Sequence, residues 1–168
     1  KIKTGLAALT IALLLIPGLA RAEDKPMEAE APITLTSPSA ILCEASTGRV
    51  IFEKNADERR PVASVNKVMT ILLTLEAIDE GRVSTEDRVL VSPRAASMGG
   101  SQAFLDAGES YPLGELLKAV IVASANDSAV ALAEYLAGAE EAFVKLMNAR
   151  AEELGLTNTH YVNCTGLP

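Results

Sequence analysis

A hydroxyl and an amine stand three residues apart in Arg60-Pro61-Val62-Ala63-Ser64-Val65-Asn66-Lys67-Val68-Met69-Thr70, at the start of a strongly apolar run. Residues i and i+3 share one face of a helix, so Ser64 Oγ and Lys67 Nζ fall within hydrogen-bond reach of one another. A serine hydroxyl attacks a carbonyl only when a neighbour takes its proton, and the single histidine, His160, lies far downstream. Lys67 is therefore the local candidate for a base. Its ordinary pKa of about 10.4 must then fall by several units, and burial drives that shift at roughly 1.4 kcal/mol per unit. The positive end of a helix beginning at Ser64 pushes the same way.

Taken alone, Ser-x-x-Lys is weak evidence. A chain of this size shows it about once by chance, and its plain reading is a capping serine followed by a solvated lysine. A second constellation changes the balance: Ala123-Ser124-Ala125-Asn126-Asp127-Ser128-Ala129. Ser-x-x-Lys with a later Ser-x-Asn is the paired signature of penicillin-binding proteins and serine β-lactamases. The longer text resembles one branch, the D-alanyl-D-alanine carboxypeptidases, or low-molecular-mass penicillin-binding proteins of peptidase family S11. The segments that carry the resemblance are Thr47 to Asn55, Arg60 to Thr70, Met98-Gly99-Gly100-Ser101, Gly108-Glu109, Leu116-Leu117-Lys118, Ser124 to Tyr135 and Asn163-Cys164-Thr165-Gly166-Leu167-Pro168.

The resemblance implies an α/β (α+β) fold of the β-lactamase/transpeptidase type, with a helical cluster packed on an antiparallel sheet. It implies that Ser64 attacks the penultimate D-alanine carbonyl of a peptidoglycan stem peptide, and that β-lactams acylate the same hydroxyl. Lys67 would be the base, Ser124 a proton relay to the leaving amine, and Asn126 a hydrogen-bonding partner of Lys67 or of the substrate amide. The backbone N–H of Ser64 would be one oxyanion donor. Ser64-Val65-Asn66 is also Ser-x-Asn, but it overlaps the nucleophile's own turn, where Asn66 points away from Lys67. A class A β-lactamase uses the same pair with Ser-Asp-Asn where this chain has Ser124-Ala125-Asn126, which favours the carboxypeptidase. A non-catalytic wall-binding fragment is the third reading. No metal or other cofactor is called for, since neither Cys43 nor Cys164 has a second ligand at metal-site spacing.

The elements that must hold these residues can be taken in order. Residues 1–22 read as a secretory signal peptide: basic Lys1 and Lys3, an apolar stretch to Leu19, and the cleavage site Ala20-Arg21-Ala22. An uncleaved anchor is the alternative, although the apolar run is shorter than the roughly 18 residues a span needs. The resulting location is the extracytoplasmic face of a bacterial cell membrane or its wall. Residues 23–38 form an extended leader rich in Pro, Ala and Glu, and residues 39–168 belong to the catalytic domain. The chain is acidic, with 15 Lys and Arg against 22 Asp and Glu, which argues against a nucleic-acid partner. Export permits a bridge between Cys43 and Cys164, but two buried free thiols are expected.

Residues 39–44 and 49–53 read as a hairpin turning at Ser46-Thr47-Gly48. A helix over 64–79 is apolar around most of its circumference, through Val68, Met69, Ile71, Leu72, Leu73, Leu75 and Ile78, and so belongs in the middle of a domain. A short strand is expected at 89–91, a flexible loop at 94–104 and a brief strand at 103–106. Helices follow over 113–123, 127–136 and 139–154, with a strand or an extended crossing at 159–163. Asp127 and Glu134 are read as exposed helix residues, Arg94 as exposed with attraction of a substrate carboxylate as the alternative, and His160 as structural.

In the resembling family a third element, Lys-Thr-Gly on a site-lining strand, follows the residues present here, and a C-terminal helix often attaches the protein to the membrane. The only Lys-Thr-Gly in this sequence is Lys3-Thr4-Gly5, within the targeting segment. Residues 39–168 are accordingly expected to be the first part of a catalytic domain. Residues 23–168 expressed alone should melt broadly and show no penicillin labelling above background, because one oxyanion donor is worth about a hundred- to a thousandfold in rate and an unpartnered hairpin is marginal. Sharp melting with stoichiometric acylation would contradict this.

Overall fold

The computed structural model describes residues 34–168, so the signal peptide and most of the leader lie outside the described residues. Residues 34–38 carry no regular structure. The compact unit runs from Ser39 to Pro168.

Its first element is the expected hairpin. Strands β1 (Ala40–Cys43) and β2 (Val50–Lys54) pair antiparallel, Ala40 opposite Lys54, with a register shift at Leu42/Cys43. Glu44 closes the turn by accepting the backbone N–H groups of Ser46 and Thr47 at 3.1 and 3.0 Å. Ile41, Leu42, Val50 and Ile51 are exposed, and so is Cys43, contrary to the expectation of two buried thiols. An edge position on a two-stranded ribbon offers nothing to bury a thiol against. Both cysteines are free, as expected.

Helices make up the rest: α1 (Lys67–Asp79), α2 (Pro93–Ala96), α3 (Leu113–Ala123), α4 (Asn126–Ala137) and α5 (Glu140–Glu153). A second ribbon joins β3 (Arg88–Leu90) to β4 (Ser110–Pro112), with Val89 opposite Tyr111. β4 went unread in the sequence because three residues ending in proline carry no alternation. The class is the one expected, helices with antiparallel strands.

The central helix is α4 and not α1. Every residue from Asn126 to Ala133 is buried, and α1, α2, α3, α5 and β3 all pack against it. Its alanines let neighbours approach closely while Val130 and Leu132 fill the gaps beside Phe143, Met147, Leu113 and Leu116. On α1 Lys67, Met69, Thr70, Thr74 and Ala77 are buried, with Ile71, Leu72, Leu73 and Ile78 packed partly against the core, whereas Val68 and Leu75 are exposed. The apolar residues around α1 thus do meet the core, but the fully buried positions also include a lysine and two threonines, which the apolar count did not announce. Arg150 on α5 ties back to α1 through Glu76 at 2.8 Å.

Further expectations change. Residues 94–104 are not a free loop: Pro93–Ala96 is a turn of helix capped by Ser92, whose Oγ accepts Ala95 N–H at 2.9 Å, and Met98 is buried. Residues 103–106 form no strand, since their backbone donors go elsewhere. Asp127, read as exposed, is 1% exposed and accepts the N–H groups of Ala103 at 3.0 Å, Leu105 at 3.2 Å and Ser128 at 2.8 Å. Residues 159–163 also form no strand. They are held by Asn148, whose amide accepts from Tyr161 N–H and donates to Tyr161 O, both at 2.9 Å.

Asp127→Ala should therefore destabilise the protein by about 1–3 kcal/mol, since it leaves the N–H groups of Ala103, Leu105 and the buried Ser128 without the carboxylate that accepts them. Amide exchange at Ala103 and Leu105 should accelerate beyond the global change. Parental protection at those two amides in the variant would show that the carboxylate is not what holds the segment.

Candidate active site

The nucleophile's turn is tighter than an α-helix. Ala63–Asn66 is a 3₁₀ turn leading into α1. With three residues per turn, i and i+3 eclipse, which sets Ser64 directly over Lys67. Lys67 Nζ donates to Ser64 Oγ at 3.0 Å. Ala63, immediately before the serine, takes a left-handed φ of 48°, which a non-glycine residue adopts only when its surroundings hold it there.

The second motif arrives from the opposite side. α3 ends at Ser124, whose φ of 55° reverses the chain into α4 and turns its side chain toward the lysine. Lys67 Nζ donates to Ser124 Oγ at 3.3 Å, across 57 residues of sequence. The amine is thus shared by two hydroxyls. Ser64 is exposed, Ser124 half-buried and Lys67 2% exposed, so an open hydroxyl sits above a buried amine.

Burial lowers the Lys67 pKa from its usual 10.5, because an ammonium loses hydration that two hydroxyls only partly replace. Nearby Cys164 would oppose this only as a thiolate. Its own pKa is pushed far up by burial and by the Glu140 carboxylate, so the thiol stays neutral and desolvation prevails.

Asn126 is the third side chain to converge, and of the two partners expected for it, Lys67 or a substrate amide, the first is not engaged. Its Nδ2 donates to Gly99 O at 2.7 Å, and its backbone N–H donates to Ser101 O at 2.7 Å. No bond to Lys67 forms. Its Oδ1 is buried without a partner, the one such side-chain atom among the described residues, and is an acceptor available to an amide N–H. Gly100, at φ 77°, makes this possible: a Cβ there would lie 2.8 Å from Asn126 Nδ2. Residues 99–105 are therefore a wall fixed to the start of α4.

Arg94 pairs with Glu140 at 3.0 Å, His160 is exposed, and Asn66 donates from Nδ2 to Asn163 O at 2.9 Å, away from Lys67 as expected. Sequence reasoning gave no role to Thr70, Gly166 or the left-handed Ala63. The first looked like filler in an apolar helix, and no local pattern announces the others. An open groove of about 850 Å³ runs along residues 56–62 and 155–161 and includes none of Ser64, Lys67, Ser124 or Asn126. Among the described residues no group of His, Cys, Asp and Glu could hold a metal ion, and no helix is long and apolar enough to cross a membrane.

Ser64 and the buried Lys67 share one turn and are faced by Ser124 and Asn126 at the junction of α3 and α4, on a transpeptidase-type fold. The family model for D-alanyl-D-alanine carboxypeptidase, peptidase S11, matches residues 25–168, and the chain belongs to that family. It is 52% identical over 129 residues to the D-alanyl-D-alanine carboxypeptidase DacF of Bacillus subtilis, covering 77% of this chain and 33% of that protein. It is 37% identical over 169 residues to DacC of Escherichia coli, covering 97% and 42%. Among solved structures, the D-alanyl-D-alanine carboxypeptidase DacD of Francisella tularensis superposes with a TM-score of 0.80 at 39% identity, over 82% of this chain and 33% of that one. Penicillin-binding protein D2 of Listeria monocytogenes in its ampicillin-bound form gives 0.72 at 29%, over 82% and 55%. The chain spans between a third and about two fifths of the length of these curated relatives.

Replacement of Lys67 by arginine should lower acylation by about two to four orders of magnitude, since guanidinium keeps the charge but cannot act as a base. In the parent, acylation should rise with pH and level off below pH 10.5, because a lowered pKa deprotonates the amine earlier. The variant should lack that limb. An unchanged rate and pH profile in the variant would reduce Lys67 to an electrostatic neighbour.

Proposed function

We propose that this protein is an exported serine-type D-Ala-D-Ala carboxypeptidase that trims the terminal D-alanine from peptidoglycan stem peptides through an acyl-enzyme on Ser64. The observation that carries the reading is the buried Lys67 amine held between Ser64 Oγ and Ser124 Oγ. Family membership and the carboxypeptidase names of the relatives support the substrate, and the ampicillin-bound neighbour supports β-lactams as covalent inhibitors.

In this mechanism the neutral Lys67 amine accepts the Ser64 hydroxyl proton as Oγ attacks the carbonyl carbon of the penultimate D-alanine. The oxyanion is stabilised by the Ser64 backbone N–H, with further donors supplied by the remainder of the domain. Asn126 Oδ1 takes an amide N–H of the peptide and fixes its register. The tetrahedral intermediate collapses, the C–N bond breaks, and the proton on Lys67 passes through Ser124 to the departing amine. Free D-alanine leaves and an ester on Ser64 remains. Water, deprotonated by the same lysine, hydrolyses that ester. Export through the N-terminal signal places the enzyme where peptidoglycan is, and attachment to the membrane would come from a C-terminal helix.

The test is incubation of the full-length protein with a fluorescent penicillin and, separately, with a peptide ending in D-Ala-D-Ala. A lasting adduct mapped to Ser64, together with release of free D-alanine, is expected, and Ser64→Ala should lose both while keeping the parental circular dichroism spectrum. Rapid turnover of the penicillin would indicate a β-lactamase. An unlabelled parent, or a labelled Ser64→Ala protein, would overturn the assignment.

A further inference from the structure

The turn at Asn163–Leu167 lies against the segment that carries Ser64, and nothing in the mechanism uses it. Its contacts fall on both sides of Ser64. Before the serine, Gly166 abuts the Ala63 carbonyl so closely that a Cβ would lie 1.9 Å from its oxygen. After the serine, Asn66 Nδ2 donates to Asn163 O at 2.9 Å, and one turn further on the buried Thr70 Oγ1 donates to Cys164 O at 2.8 Å. The 3₁₀ turn that carries Ser64 and the first turn of α1 after it are therefore held at Ala63, Asn66 and Thr70 by Gly166, Asn163 and Cys164 of one short segment.

That segment is stiff and itself anchored. Asn163 Oδ1 accepts the N–H groups of Thr165 at 3.1 Å and Gly166 at 2.7 Å, while its Nδ2 donates to Leu167 O at 2.7 Å. The N–H and the thiol of Cys164 both donate to Glu140 Oε1, at 3.2 and 3.3 Å, and Glu140 in turn holds Arg94 at 3.0 Å. Gly166 has a φ of 79°, the conformation that lets the turn close without a side chain to collide with Ala63.

We propose that the Asn163–Leu167 turn is the positioning element for the nucleophile: it holds Ala63 in its left-handed conformation and so keeps Ser64 Oγ in register with Lys67 Nζ. A left-handed alanine relaxes unless its neighbours forbid it, and here the forbidding contact is Gly166 beneath its carbonyl. Relaxation would swing Ser64 away from the amine. A misplacement of about 1 Å costs on the order of a hundredfold in an oriented reaction, without altering how substrate first binds. Thr70 and Asn66 are thus positioning residues, acting through Ser64 and not on the substrate.

The inference rests on the acyl-enzyme reading above, and the experiment separates the two. Single-turnover acylation of the full-length protein by a fluorescent penicillin yields the dissociation constant of the initial complex and the acylation rate constant separately. Thr70→Val, which keeps shape but removes the hydroxyl, should lower the rate constant about tenfold with an unchanged dissociation constant. Thr70→Ser should restore it. Asn66→Ala should repeat the loss, and Gly166→Ala should exceed both if it folds. Parental acylation rates in folded Thr70→Val and Asn66→Ala, or a loss confined to melting temperature, would overturn the proposal while leaving Ser64 as nucleophile. A parent that is not acylated at all would instead remove the reading on which it stands.

Discussion

Everything at this site depends on keeping one lysine amine away from water. An ammonium 2% exposed, bonded to the hydroxyls of Ser64 and Ser124, is held at a disadvantage to its neutral form, and that disadvantage is what suits it to the role of base in the proposed mechanism. The same arrangement gives up stability, since among the described residues no carboxylate is bonded to Lys67 to compensate its charge. A partner carboxylate would restore that stability and abolish the chemistry by raising the pKa again. Neutral Cys164 nearby fits the same requirement: burial and Glu140 keep its thiol protonated, so it adds no negative charge beside the amine.

Geometry at the two hydroxyls is maintained by strain that packing over-determines. Ala63 and Ser124 both have left-handed φ values, at 48° and 55°, and each sits at or beside one of the two serines bonded to Lys67. Such residues cost of order 1–3 kcal/mol each. At Ser124 the strain is the reversal between α3 and α4, two helices locked by a shared core. At Ala63 no helix supplies the constraint, and the contact with Gly166 takes its place.

The polar anchors that fix the wall of the site are backbone-directed. Asp127 uses its carboxylate on Ala103, Leu105 and Ser128, and Asn126 uses both its main chain and its amide on residues 99–101. Two adjacent residues at the start of the most buried helix thereby convert a glycine-containing loop into a fixed surface. The cleft wall inherits the rigidity of α4. The same α4-centred core, with its run of alanines, lets four other helices pack around one axis, and the match of this arrangement to solved D-alanyl-D-alanine carboxypeptidases extends over four fifths of the chain.

What could be read from the sequence was whatever depends on neighbours along the chain. Ser64 and Lys67 meet because three residues make one turn, the hairpin closes because Glu44 reaches Ser46 and Thr47, and α5 ends where Gly155 follows it. The pairing of Ser-x-x-Lys with Ser-x-Asn likewise pointed to the family before any coordinate. The side of each element that faces inward was not legible, because it depends on partners far away in sequence. Besides Met69, α1 buried a lysine and two threonines, Asp127 was buried against backbone donors more than twenty residues earlier, the strand expected at 103–106 gave its hydrogen bonds to a side chain, and of the strand or extended crossing expected at 159–163 no strand formed. Only tertiary structure could bring Gly166 beneath Ala63 and so decide the backbone angle at which the nucleophile is held. A local sequence sets the spacing of catalytic groups, but burial and strain are properties of the surface that packs against them.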